Sequence, residues 1–257
     1  YRNVVTKVGD GFQGWPEHAP FDKIIVTCSP ERVPQPLVEQ LAEGGRMVIP
    51  IGERFDQALL LLVKRDGGLI REALASTLFV PMTGRAEEER EVRPDGGRPA
   101  IHNGSFEQSL PDSGQLAAWY YGRQMTVVAE AGAPAGEKFL RLENGQPGRP
   151  AQVFQGFPVD GTLVGRLRIQ ARLRGDRLQA GLAAEELPRI MVRLQDAGRA
   201  RSTTVGIGPW EGTFDWKRIE GEVVVPAWAR EAILHVGMMG GTGRLDVDDV
   251  EITAVPR

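Results

Sequence analysis

From Leu163 to Arg174 the chain alternates between two sets of residues without interruption. Leu163, Gly165, Leu167, Ile169, Ala171 and Leu173 share one parity, and Val164, Arg166, Arg168, Gln170, Arg172 and Arg174 share the other. An extended strand with one dry and one wet face fits a period of two, whereas a helix would scatter the four arginines around its circumference. The pattern returns at Ile190, Val192 and Leu194 and at Ala232, Leu234, Val236 and Met238, with turn signals at Arg174-Gly175-Asp176 and Gly240-Gly241-Thr242-Gly243. In the last strand the apolar parity slips from Leu245 and Val247 to Val250, Ile252 and Ala254, which predicts a β-bulge at Asp248-Asp249. From about Ala100 onward the chain therefore reads as an all-β sandwich of two sheets.

The first third follows a different rule. Asn3 to Val8 reads as a short strand, and Lys23-Ile24-Ile25-Val26-Thr27 carries the apolar run of a parallel strand buried on both faces. Pro34 and Pro36 suit a first helical turn, Leu37 and Leu41 share a face, and Gly44-Gly45 supplies a left-handed stop. Strands are expected at Met47-Val48-Ile49, from Ala58 to Lys64 and from Leu74 to Val80. This β-α-β unit followed by a β-β pair matches the second half of a doubly wound sheet whose last strands form a hairpin. Between Arg85 and Pro99 acids and arginines interleave before Pro94-Asp95-Gly96-Gly97, a composition that predicts a solvated linker. The expected domains are thus 1–84 (α/β) and 100–257 (all-β), joined by 85–99.

Composition narrows the function. With 41% hydrophobic and 25% charged residues the 257-residue chain has the balance of a soluble globular protein. A net charge of −3 gives no broad field for phosphate backbones, which argues against nucleic acid. Cys28 stands alone, so no internal disulfide forms and a reducing, cytoplasmic setting is expected. Ala58 to Val63, the longest apolar run, is too short to span a bilayer, and no membrane partner is expected.

Four segments stand in one order: Gly9-Asp10-Gly11-Phe12-Gln13-Gly14-Trp15-Pro16, Phe21-Asp22-Lys23-Ile24-Ile25-Val26-Thr27, Gly44-Gly45-Arg46-Met47-Val48-Ile49-Pro50-Ile51-Gly52 and Phe79-Val80-Pro81-Met82-Thr83-Gly84. Together they resemble the second half of a protein-L-isoaspartate O-methyltransferase. The resemblance implies S-adenosylmethionine as cofactor, isoaspartyl proteins or peptides as substrate, and esterification of the abnormal α-carboxylate as the repair reaction. It implies that Asp10 and Gly11 contact the adenine end of the cofactor, and that Thr27, Cys28, Ser29 and Pro30 shape the substrate pocket, largely through backbone groups. Direct methyl displacement needs alignment rather than a nucleophile, so Cys28 is expected to be a small buried residue; His18 is given no catalytic role. The glycine-rich cofactor loop of the family has no counterpart in this sequence, so this chain alone is expected to be inactive.

Asn103-Gly104-Ser105-Phe106-Glu107 and Asp246-Val247-Asp248-Asp249-Val250 resemble the two ends of jelly-roll, galactose-binding-like carbohydrate-binding modules. If the first and last strands lie adjacent, Glu107 and Asp249 converge on a structural calcium ion; otherwise they are solvated turn acids. Trp119 and Tyr120 are the candidate glycan platform, because neighbours on a strand face opposite ways, while Trp210, Phe214, Trp216 and Trp228 suit packing between sheets. Beside the methyltransferase reading stand two others: a glycan- or protein-binding module with a non-catalytic methyltransferase remnant, and a purely structural interaction domain.

Overall fold

The computed structural model describes residues 2–257. The chain divides into two compact units, Tyr1–Arg93 and Pro94–Arg257. Among the described residues the strands form one four-stranded and two five-stranded sheets. No helix among them is long and apolar enough to cross a membrane.

In the first unit β1 (Phe21–Ile25) pairs in parallel with β2 (Leu41–Gly52), and β3 (Gln57–Arg65) and β4 (Gly68–Thr77) follow as antiparallel neighbours. The sheet order is β1-β2-β3-β4, so a single parallel pair is extended by a meander, not the run of parallel strands that double winding implies. α1 (Gln35–Gln40) lies between β1 and β2 in sequence. Its Leu37 packs with Leu41, Met47, Ile49 and Leu62 in the unit's core.

Several boundaries differ from expectation. Asn3 to Val8 forms no strand and is exposed throughout. β1 is present but is an edge strand, and Ile25 is 77% exposed, so it is not buried on both faces. Gly44 does adopt the left-handed region (φ +77°), but within β2 and after α1 has already ended at Gln40. The helix stops early because Leu41 turns extended (ψ 129°) into β2, and Lys64 satisfies the carbonyls at this end: its ammonium donates to Val38 O and Leu41 O, both at 2.8 Å. The expected strand from Leu74 to Val80 begins sooner, at Gly68. Asp66 and Gly67 both take positive φ, forming the two-residue turn of a tight hairpin that pairs Arg65 with Gly68 at once. The strand ends at Thr77, after which the Gln57 side chain replaces the ladder, accepting from Phe79 N–H (2.7 Å) and donating to Phe79 O (3.1 Å).

The stretch from Arg85 to Arg93 belongs to the first unit. α2 (Arg85–Glu88) buries Ala86, and the Arg90 guanidinium is buried, donating to the carbonyls of Ser29 (3.1 Å) and Gly52 (3.3 Å) and pairing with Glu87 at 3.2 Å. A buried arginine satisfied in this way ties down a segment whose composition alone reads as solvated.

The second unit is a two-sheet sandwich. One sheet has the order β11 (Ser202–Ile207), β10 (Arg189–Gln195), β13 (Glu231–Gly237), β8 (Gln152–Pro158) and β5 (Tyr120–Arg123). The other runs β12 (Gly212–Val224), β9 (Val164–Gln179), β14 (Thr242–Pro256), β7 (Lys138–Asn144) and β6 (Met125–Ala129). All pairs are antiparallel. Leu140, Leu173 and Leu245 of one sheet and Val153, Val192 and Leu234 of the other join one buried core.

β9 shows the expected alternation from Leu167 onward, with Leu167, Ile169, Ala171 and Leu173 buried. Its start is out of phase: Val164 is buried and Leu163 is 58% exposed, because a register shift opposite Val255–Pro256 inserts Gly165 as an extra residue. Arg174-Gly175-Asp176 is no turn; β9 runs on to Gln179, and the glycine is there because a Cβ would stand 2.6 Å from the Phe214 ring. The bulge near Asp248-Asp249 is present: pairing with β9 shifts between Asp248 and Glu251, and Asp249 has φ +52°. It keeps Leu245, Val247 and Val250 all in the core.

Replacing Lys64 by Met removes the cap of α1. We expect the first unit to lose about 2 kcal/mol, the scale of a charged hydrogen-bond donor lost from partly buried carbonyls, read as faster hydrogen exchange at Leu37–Leu41 with the sandwich unaffected.

Candidate functional site

Two short 3-10 turns, Gly11–Gln13 and Pro16–His18, precede β1 and carry the Gly9–Pro16 segment. Asp10 is the N-cap of the first: its Oδ1 accepts from Phe12 N–H at 3.0 Å, and its Oδ2 accepts from Arg85 N–H at 3.3 Å. The carboxylate thus joins this segment to the start of α2. Gly9 and Gly11 face open space, since a Cβ at either would meet no atom within 4 Å. Gly14 is the reverse case. At φ +64° it lies against the Gln40 amide, where a Cβ would come within 2.3 Å of Oε1.

Gln40 is the residue that sequence reasoning missed. Its buried amide accepts from Trp15 N–H at 2.7 Å and donates to Gln13 O at 2.8 Å, clamping the loop after Asp10 onto α1. The available signal was its spacing, three residues after the core Leu37 and therefore on the same helix face. Together these elements wall a cleft of about 410 Å³ lined by Asp10, Gly11, Trp15, Lys23, Ile24 and Gln40, among others. His18 packs edge-on against Trp15 at 4.5 Å.

Thr27-Cys28-Ser29-Pro30 follows β1, but its backbone is largely committed. Ser29 N–H donates to Val80 O (2.8 Å), while Ser29 O accepts from Met82 N–H (3.0 Å) and from Arg90; Pro30 O accepts from Gly52 N–H (3.3 Å). Ser29 is fully buried, so neither of its peptide groups is left to hold a substrate. Pro30 lines a second cleft, of about 630 Å³, with Phe12, Pro34 and Arg85. Burial, and then the negative charge of Asp10, push the Cys28 thiol above its ordinary value, so it stays protonated and inert at neutral pH.

The sandwich does not assemble the expected cation site. Glu107 Oε1 accepts from the N–H groups of Glu137 and Lys138, both at 2.7 Å, and Asp249 faces Arg172 at 3.9 Å. The buried acid at the bulge is Asp248, which accepts from Ala135 N–H at 2.8 Å. Among the described residues no cluster of three or more His, Cys, Asp or Glu is able to hold a metal. Each carboxylate is met by N–H groups or arginine instead.

Trp119 and Tyr120 are both buried and present no face to a sugar. Ala118 has φ +67° and Trp119 precedes β5, so strand alternation does not apply to it; its ring packs on Phe106 (5.2 Å) and its Nε1 donates to Asn103 O (2.9 Å). The exposed neighbour is Tyr121, 54% accessible and also at positive φ. It stands edge-on to Phe154 at 6.4 Å, and Phe154 stacks on His235 at 4.2 Å, making an aromatic row on the outer face of the β11-β10-β13-β8-β5 sheet. Trp216 instead packs under Arg174 and against Phe139.

Burial lowers the His235 pKa to about 4, and its Nε2 has no hydrogen-bond partner among the described residues. Between pH 4 and 6.5 the unfolded chain binds the proton that the folded chain refuses, so stability falls as the solution is acidified through that window. We expect His235→Phe to match the wild type at pH 7.5 and to exceed it by roughly 1–2 kcal/mol at pH 5, measured by denaturant unfolding of the sandwich.

Residues 1–87 match the family model described as protein-L-isoaspartate(D-aspartate) O-methyltransferase (PCMT). The chain is similar to the protein-L-isoaspartate O-methyltransferase of Gloeobacter violaceus, with 47% identity over 90 residues that cover 35% of this chain and 44% of the relative. It is also similar to a solved structure described as a protein-L-isoaspartate O-methyltransferase from Plasmodium falciparum in complex with S-adenosyl-L-homocysteine (33% identity, 29% of this chain, 36% of that chain, TM-score 0.27). The "Family 16 Carbohydrate Binding Module-2" structure is aligned over 60% of this chain and 98% of its own, at 18% identity and a TM-score of 0.41. The chain spans less than half the length of the curated relatives it matches. Its similarity to the isoaspartate methyltransferases lies in its own N-terminal third.

Proposed function

We propose that residues 1–84 are the second half of a doubly wound methyltransferase sheet. In a complete fold of this kind they hold the adenine end of S-adenosylmethionine for esterification of isoaspartyl α-carboxylates in aged proteins, in a reducing, cytoplasmic setting. The observation that supports this reading is the placement of Asp10. Two backbone N–H groups fix its carboxylate beside a cleft, and the flanking Gly9 and Gly11 leave the approach open. A carboxylate offers about four lone-pair sites, so Asp10 retains acceptors for an exocyclic amino group.

When bound, the cofactor supplies an electrophilic methyl group on a sulfonium sulfur. Transfer to a carboxylate is a direct displacement, so the work of this chain is alignment and exclusion of water rather than covalent catalysis. Gln40 and Arg90 keep the two loops in place from outside the reacting centre. The protonated Cys28 thiol takes no part as a nucleophile.

Titration calorimetry with S-adenosylhomocysteine tests the assignment. Asp10 and its cleft supply only the adenine-end contacts in this reading, so we expect saturable binding only on the order of millimolar, lost in Asp10→Ala. Heat that persists unchanged in Asp10→Ala, or no heat at all, would remove the adenine role from this residue. Micromolar affinity would show that the cleft is complete by itself.

Tyr121, 54% exposed beside the Phe154–His235 stack, favours a second reading, in which the sandwich is a glycan- or protein-binding module and the first unit a non-catalytic scaffold, because sugar rings stack on exposed aromatic faces. In affinity electrophoresis through soluble polysaccharides the chain would then be retarded, and Tyr121→Ala would migrate freely. Equal mobility of the two proteins in every gel would set the glycan form of this reading aside.

A further inference from the structure

The outer face of the β11-β10-β13-β8-β5 sheet holds more than its aromatic residues. Cross-strand pairing places Arg189, Gly237, Gln152 and Arg123 in one line across four strands, and Arg193 follows four residues along β10. Opposite residues share a face, and the alternate residues Val192, Leu234 and Val153 point into the core, so this line is outward. Arg123 and Arg193 are exposed and Arg189 is half-buried. None of the three is ion-paired among the described residues. The outward positions of these four strands carry one carboxylate, Glu231, which is buried and paired with Arg199 at 3.2 Å. On the other sheet, by contrast, Arg166, Arg168 and Arg174 of β9 all face carboxylates.

Two buried polar atoms on this face also lack hydrogen-bond partners, Arg189 Nε and His235 Nε2. Both residues adjoin Gly237: Arg189 is its cross-strand partner, and a Cβ on the glycine would stand 2.7 Å from His235 Nε2. Buried polar groups are ordinarily satisfied, so two orphans side by side beside an exposed tyrosine mark a place that a polar ligand completes.

From these observations we infer that this face binds an acidic glycan, a polysaccharide whose sugar rings carry carboxylates. Rings lie against Tyr121 and the Phe154–His235 stack, hydroxyls meet His235 Nε2, and planar carboxylates take paired N–H groups from the arginine forks. The inference rests on the glycan-binding reading of the sandwich and adds the charge of the ligand. Arg189 to Arg123 spans three strand spacings and Arg189 to Arg193 four residues, each about 14 Å, the reach of several linked sugars rather than one. A nucleic acid presents a denser run of charge, which the net charge of −3 disfavours.

The test uses the full 257-residue chain in affinity gels of polygalacturonate and of alginate, with methyl-esterified polygalacturonate as the uncharged control. Mobility is read relative to a gel without polymer. We expect retardation by the acidic polymers that esterification abolishes and added salt weakens. Arg123→Gln and Arg193→Gln should each weaken it at least about tenfold, the scale of one charge-assisted hydrogen bond lost. Both positions are exposed, so the variants should keep the wild-type melting temperature, and Arg166→Gln on the other sheet should be retarded like the wild type. Equal retardation by the esterified polymer, with both arginine variants unaffected, overturns the acidic ligand and keeps the glycan reading. No retardation by any of these polymers overturns the inference, and retardation by neutral polysaccharides then decides the glycan reading separately. Retardation that survives both arginine changes, or tighter binding of single-stranded DNA than of either acidic polymer, also overturns it.

Discussion

Every buried peptide group needs a partner, and in this chain the decisive partners are side chains rather than further strands. In the first unit, α1 has only six residues and the sheet contains one parallel pair, so many N–H and C=O groups fall outside helix and ladder. Gln40 takes up the backbone at Gln13 and Trp15, Gln57 takes both groups of Phe79, Lys64 takes the end of α1, and Arg90 takes Ser29 and Gly52. An orphaned group of this kind costs about 1–3 kcal/mol, so these four residues stabilise the loops whose backbone they bond. The sandwich repeats the device. Gln155 accepts from His102 N–H and donates to the carbonyls of His102 and Ala118, fixing the chain ahead of β5, while Asn144 donates to Arg149 O and Gly241 O.

The candidate site inherits its geometry from those partners. Asp10 faces a cleft because Gln40, twenty-five residues beyond Trp15 in sequence, holds the following loop against α1, and because the start of α2 returns to its other oxygen. The Ser29 loop is equally fixed, but at a cost to its chemistry: with Ser29 N–H and C=O both engaged and Pro30 buried, recognition at this loop falls to the exposed Thr27 and the half-buried Cys28.

In the sandwich, opposite charges absorb features that look like binding surfaces when read along one strand. The arginines of β9 lie on its wet face but form no basic patch. Arg166 and Arg168 pair with Glu222 and Glu220 on β12, and Arg174, together with Arg141 of β7, encloses the buried Asp246 carboxylate at 2.7–2.8 Å. A carboxylate so far from water is tolerable only with two such donors. Arg174 also covers Phe139 and Trp216, extending the apolar interior onto the outer face of that sheet. The acids at the two ends of the domain are likewise spent on backbone and arginine, which leaves no cluster for a cation among the described residues.

The sequence by itself determined the two regimes of the chain, the resemblance of residues 1–84 to a methyltransferase, the alternating strands of the sandwich and the bulge near Asp249. These follow from periodicity, from turn chemistry and from contiguous motifs, all of which are local properties. Tertiary structure alone decided the rest. Asn3 to Val8 has strand-like residues but no partner to pair with; Trp119 and Tyr120 are buried because Ala118 and Tyr121 take positive φ on either side of them; and a run of acids and arginines holds a buried Arg90. Pairing, burial and hydrogen-bond satisfaction depend on residues tens of positions away, as with Arg90 and Ser29 at sixty-one or Asn144 and Gly241 at ninety-seven, and no local pattern encodes such distances.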